Sequence, residues 1–146
     1  MKNSMIGKPM LTIELESTFD DLNRLRTFCK QAIAHYAATE DTGKVLDNLL
    51  IAATEAVTNV IRHGYEGEPG QPIHCQSRFE EESLVIEIIH NGKPFEPQSI
   101  PQIDEPLEGG MGLFLIEQCV DQVFYSQLPD GRQCIGLHVK LVPGLS

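Results

Sequence analysis

The sequence predicts an α+β fold, a two-layer sandwich with helices on one face of a mixed, mostly antiparallel sheet. Three observations carry this. The elements run strand, helix, helix, strand, strand, loop, helix, strand, strand, so strands come in pairs, where a doubly wound parallel fold would alternate strictly. A long segment from about residue 41 to 63 has helical apolar spacing. Two pairs of strand-like runs are each joined by a short polar turn, at Glu81-Glu82 and at Pro129-Asp130-Gly131-Arg132. At 146 residues the chain fits one domain, with a core over about 10–141.

In chain order, Met10-Leu11-Thr12-Ile13-Glu14-Leu15-Glu16 alternates apolar and polar residues and reads as a half-buried strand. Ser17 or Thr18 is expected to cap a helix, with Asp20 and Asp21 in its first turn where the dipole favours anions. Phe19, Leu22, Leu25, Phe28, Cys29, Ala32, Ile33 and Tyr36 form its apolar stripe, and it ends near Ala38. The next helix begins around Asp41 or Thr42 and buries Val45, Leu46, Leu49, Leu50, Ala53, Val57, Val60 and Ile61. Gly64 is its natural stop. Pro72–Glu80 and Ser83–His90 form a hairpin, and the run Leu84-Val85-Ile86-Glu87-Ile88-Ile89 suits a central strand. Residues 91–110 show no periodicity and carry prolines at 94, 97, 101 and 106, a length of loop that is uncommon unless functional or disordered. A short apolar helix over 111–120, a strand over 121–127 and a last strand over 133–142 complete the chain.

Composition narrows the function. With 11 basic and 21 acidic residues the formal net charge is −10, and no basic stripe exists to neutralise phosphates, which disfavours nucleic acid. The same charge permits a protein partner with a basic surface. No apolar run approaches the roughly 18 residues of a membrane span, and no secretory pattern opens the chain, so a cytoplasmic protein without a membrane segment is expected. Cys29, Cys75, Cys119 and Cys134 lie far apart with no C-x-x-C pair, and read as small reduced thiols. The five histidines show no ligand spacing, so a metal held by protein alone is not expected.

Two stretches offer chemistry. Glu55 and Asn59 sit four apart on one helix face, about 6 Å along the axis. Asn is poor inside helices, because its amide competes for backbone groups. A carboxylate and an amide together there form a polar site on an apolar helix, or else a solvated edge. Gly109-Gly110-Met111-Gly112 lies between the long loop and a helix, where close backbone approach and free N–H groups suit an anion. Loop flexibility explains such glycines equally. No Walker motif or dinucleotide fingerprint occurs.

Together with the turn His90-Asn91-Gly92-Lys93-Pro94-Phe95, these pieces resemble the ATP-binding domain shared by gyrases, Hsp90 chaperones, histidine kinases and mismatch-repair ATPases, the Bergerat-type fold. More narrowly they resemble the bacterial anti-sigma-factor serine/threonine kinases of partner-switching systems. Glu55-Ala-Val-Thr-Asn59-Val-Ile-Arg-His63-Gly-Tyr65, Asn91-Gly92-Lys-Pro-Phe95-Glu-Pro97 and Gly110-Met-Gly112-Leu-Phe-Leu-Ile116 carry the resemblance, which spans residues 10–141. It implies a kinase that binds ATP and Mg²⁺ and phosphorylates an antagonist protein of the anti-anti-sigma type on serine, so controlling a sigma factor or other regulator. Asn59 would bind Mg²⁺ and Glu55 would be the general base. Gly110 and Gly112 would give N–H groups to the phosphates, with Met111, Leu113 and Gly92 among the nucleotide-binding residues. Arg62 and His63 would position phosphate or partner, or else serve as helix-end charges beside the last carbonyls. Residues 93–109 would close as a lid, and relatives suggest a homodimer through the first strand and helix. Two positions depart from the family pattern. His90 stands where the family has an Asp that accepts a hydrogen bond from the adenine amino group, and Cys134-Ile135-Gly136 where relatives often place a threonine. Weak ATP binding, a changed base preference, or a non-catalytic partner-binding module on the same fold all follow from that departure.

Overall fold

Among the described residues five strands build the sheet, in the spatial order β1-β2-β3-β5-β4, with β1 at Leu11–Glu16, β2 at Pro72–Glu80, β3 at Ser83–His90, β4 at Gln122–Gln127 and β5 at Gln133–Lys140. The computed structural model describes residues 11–36, 43–94 and 110–141. Every neighbouring pair of strands is antiparallel, so the expected mostly antiparallel sheet is antiparallel throughout. β3 is the central strand, as its apolar run requires. Even on the face away from the helices Val85 is 0% exposed and Ile89 is buried.

Among the described residues three helices cover the other face: α1 at Leu22–Tyr36, α2 at Gly43–Asn59 and α3 at Gly110–Cys119. α2 packs against both α1 and α3. Register places Ile13, Cys75, Ile88, Ile135 and Tyr125 in one row across the sheet. The first four of these, or their neighbours two residues along, meet Leu25, Phe28, Leu49, Ala53 and Val57 from the helices in one core. Burying such side chains contributes about 1.5–3 kcal/mol each, which is why the helix stripes turn inward.

Several expectations shift. Thr18 precedes a 3₁₀ turn at Phe19–Asp21 that leads into α1, but makes no side-chain cap bond. Ser17 is tied elsewhere: its hydroxyl donates to the Glu68 carbonyl at 2.7 Å and accepts from the Gln71 amide at 2.8 Å. Phe19 is 51% exposed and lies outside the stripe, because a turn of three residues rotates it away from the face that begins at Leu22. α2 does not run on regularly to His63; residues Val60–Gly64 form one wide π-helical turn, closed by the Tyr65 amide on the Val60 carbonyl at 2.8 Å. The expected end of α1 at Ala38, the start of α2 at 41–42 and most of the long loop lie outside the described residues.

Candidate functional site

Glu55 and Asn59 lie in the last turns of α2, as the spacing predicts. Glu55 is half-buried, whereas Asn59 is 4% exposed and its Nδ2 has no hydrogen-bond partner among the described residues. An unpaired buried amide costs about 1–3 kcal/mol, so Asn59 is kept at the expense of stability. Beyond it Arg62 and His63 point outward, and the Arg62 guanidinium lies 5.8 Å over the Phe19 ring.

The end of α2 is bolted to the turn that follows β3. Lys93 N–H donates to the Gly64 carbonyl at 2.8 Å, and a Cβ on Gly92 would stand 2.6 Å from that same carbonyl. Only glycine permits this approach. Tyr65 is buried between the two segments. Its hydroxyl donates to the Pro72 carbonyl at 2.6 Å and accepts from the Asn91 amide at 2.8 Å. The Lys93 ammonium also meets the Glu66 carboxylate at 2.5 Å, an exposed pair of small weight.

His90 closes this corner. It is 2% exposed, stands on the helix side of the sheet in register with Ile73 and Gln133, and packs edge-on to Tyr65 with ring centroids 5.9 Å apart. Burial lowers its pKa from 6.5 to about 4, so the ring is neutral at physiological pH. Its Nδ1 accepts the Gly92 amide N–H at 3.0 Å. A neutral imidazole has one acceptor nitrogen, so the remaining hydrogen sits on Nε2 and that side of the ring is a donor. Cys134, in contrast, pairs with Ile89 on the open face, and Ile135 faces the helices.

Gly110, Met111, Gly112 and Leu113 form the first turn of α3, whose leading N–H groups have no intrahelical acceptor. Of the expected lid, only Lys93 and Pro94 fall within the described residues. A depression of about 500 Å³ lies on the open face of the sheet, lined in part by Glu14, His74, Gln76 and Glu87. Those side chains satisfy one another: His74 with Glu14, His74 Nε2 with Gln76 at 3.1 Å, and Gln76 Nε2 donating to Glu87 at 2.7 Å. It borders the candidate corner through His90 and Asn91, but neither Glu55 nor Asn59 lines it. Sequence reasoning missed the Tyr65 hydroxyl and the Gly64–Gly92 contact; the adjacent Gly64-Tyr65 and Asn91-Gly92 pairs were the available signal.

Nucleotide and metal can be tested against these residues. Rotating the Asn59 amide would exchange its oxygen with the nitrogen that has no partner among the described residues, and that oxygen would be a metal ligand. Among the described residues no group of three or more His, Cys, Asp or Glu side chains could hold a metal. A Mg²⁺ there would complete its shell with phosphate oxygens and water, as Mg²⁺ commonly does. The residues present fit a metal carried in with a nucleotide.

Residues 16–138 match the histidine kinase-like ATPase domain family, and the chain belongs to that family. It is similar to the anti-sigma F factor of Clostridium acetobutylicum, at 31% identity over 123 residues covering 78% of this chain and 84% of the relative. It is also similar to the serine-protein kinase RsbW of Listeria innocua, at 32% identity over 90 residues covering 55% of this chain and 57% of the relative. The match thus spans little more than half the length of that kinase. Among solved structures, the crystal structure of the RsbU and RsbW domains of a Mycobacterium tuberculosis protein aligns with a TM-score of 0.63 at 18% identity, covering 91% of this chain and 32% of that one. The histidine kinase domain of a blue-light activated kinase from Erythrobacter litoralis aligns at 0.53, with 15% identity over 84% of this chain and 60% of that one. These two likenesses bear on the fold alone. No helix among the described residues is long and apolar enough to cross a membrane.

Proposed function

We propose that the chain is an ATP-dependent serine/threonine protein kinase of the anti-sigma type. It phosphorylates a small antagonist protein on serine and holds a sigma factor or other regulator when that antagonist is already phosphorylated. The carrying observation is Asn59, whose buried Nδ2 has no partner among the described residues, one helical turn beyond Glu55 in a chain of this family.

Phosphoryl transfer needs positioned groups and charge stabilisation more than covalent chemistry from the protein. A metal held at Asn59 would supply positive charge against the charge that builds on the phosphates. Asn59 would hold that metal through its amide oxygen. Glu55 accepts the proton of the incoming serine hydroxyl as its oxygen bonds to the terminal phosphorus and the bond to the departing ADP breaks. Backbone N–H groups at Gly110–Leu113 donate to the phosphates. Arg62, exposed in the turn beyond α2, would help position phosphate or the acceptor protein. β1 lies at a sheet edge, which supports the homodimer through the first strand and helix.

Phosphate transfer from ATP to a purified antagonist, wild type against Glu55→Ala, tests the assignment. A Glu55→Ala chain as active as wild type would remove Glu55 from the base role. A second reading, a partner-binding module without catalysis, is favoured by His90, whose only acceptor is occupied by Gly92. Losing a charge-assisted bond to adenine costs about 1.5–3 kcal/mol, or roughly one to two decades of affinity. Calorimetric titration with ADP and Mg²⁺ separates the readings: a saturable isotherm supports the kinase, and no heat at millimolar nucleotide supports the module.

A further inference from the structure

Three separate stretches converge on one phenol. Tyr65 follows the wide turn that ends α2, Pro72 opens β2, and Asn91 lies just beyond β3; the Tyr65 hydroxyl bonds to the backbone of both of the others, at 2.6 and 2.8 Å. Its ring meets His90 edge-on, and the neighbouring Gly64 supports both the His90 ring and the Gly92 backbone. A hydroxyl that donates once and accepts once, both times to backbone, fixes where a turn lies and not merely whether a core is filled. The core needs only the ring. The turn it fixes carries His90, whose ring nitrogen is in turn oriented by the Gly92 amide at 3.0 Å.

We infer that the Tyr65 hydroxyl is a positioning residue for nucleotide binding: it sets the His90–Gly92 turn relative to the helix end that carries Asn59 and Glu55. This role rests on the nucleotide reading above. It assigns to the Tyr a function separable from its contribution to the core, since Tyr65→Phe keeps the ring and removes only the two bonds.

The test is calorimetric titration of the full chain with ADP and Mg²⁺, comparing wild type, Tyr65→Phe and the control Ile86→Val, which thins the core under β3 far from the turn. Tyr65→Phe is expected to weaken ADP about five- to tenfold, part of the weight of the two hydrogen bonds it removes. Ile86→Val is expected to lower thermal stability with ADP affinity intact. In ¹⁵N spectra the wild-type His90 ring should report a single Nε2–H tautomer, and Tyr65→Phe should blur it as the turn loosens. Equal ADP affinity in wild type and Tyr65→Phe overturns the positioning role alone, as does the same loss of affinity in Ile86→Val. A wild-type chain that takes up no ADP overturns the nucleotide reading and this role with it.

Discussion

Replacing Gly92 with Ala should cost far more than one methyl group suggests. The added Cβ would stand 2.6 Å from both the carbonyl carbon and oxygen of Gly64 and 2.9 Å from its Cα. These are backbone atoms, so no rotamer change relieves the clash. The turn must lift from the end of α2, and three bonds stretch together: Lys93 N–H to Gly64 O at 2.8 Å, Asn91 N–H to Tyr65 Oη at 2.8 Å and Gly92 N–H to His90 Nδ1 at 3.0 Å. Each contributes about 0.5–1.5 kcal/mol net, and water recovers part of the loss, so the expected destabilisation is about 3 kcal/mol. For a chain of this length that lowers Tm by roughly 9 °C. Urea unfolding followed by circular dichroism reads it directly. Gly43→Ala is the control, since a Cβ there meets nothing within 4 Å and the residue opens a helix. It should be neutral or stabilise by up to about 1 kcal/mol. If Gly92→Ala unfolds within about 0.5 kcal/mol of wild type, the turn is not pressed onto Gly64 and the account of this corner is wrong.

Other consequences are measurable with the same chain. Burial holds the His90 pKa at about 4 against 6.5 unfolded, so the unfolded chain binds more protons between those values; stability is present above pH 6.5 and drains as pH falls toward 4, by roughly 3 kcal/mol. Unfolding free energies at pH 7 and 4.5 should show this limb, and His90→Gln should flatten it; an unchanged slope would assign the limb to other groups. Asn59→Leu removes a buried amide whose Nδ2 has no partner among the described residues, and should raise stability by about 1 kcal/mol while abolishing ADP binding; a less stable variant that still binds would contradict both parts. The turn joining β2 to β3 holds Glu81 at φ 50° and Glu82 at φ 66°, a conformation that Asn and Gly adopt more readily. The double change Glu81→Asn, Glu82→Gly should therefore stabilise by about 1 kcal/mol in thermal melts, and a fall in Tm would refute the strain.

What the sequence revealed and what it hid divide along a physical line. The hairpin Pro72–Glu80 with Ser83–His90 and the central place of β3 were legible, because Leu84 to Ile89 can be buried on both faces only in the middle of a sheet. The shared face of Glu55 and Asn59 followed from helical spacing alone. Phe19 was misplaced because periodicity assumes a uniform turn, and the chain enters α1 through a tighter one. The bridges from Ser17 to Glu68 and from Asn91 to Tyr65 join residues 51 and 26 apart. No local pattern encodes them; they exist only once the sheet has closed. The same holds for His90, whose donor face is set by the Gly92 amide and not by its own residue type.

The wide turn at Val60–Gly64 acts as an indexing step in the chain. A regular α-helix advances about 100° per residue. Continued through this stretch, it would deliver the following phenol a full residue out of phase, facing away from Pro72 and Asn91. Deleting one residue between 60 and 64 would therefore let the helix close into regular turns while sweeping nearly the same angle, about 400°, and leave the downstream segment aimed much as before. The slack in this one turn is what lets a straight rod end against the mouth of a sheet.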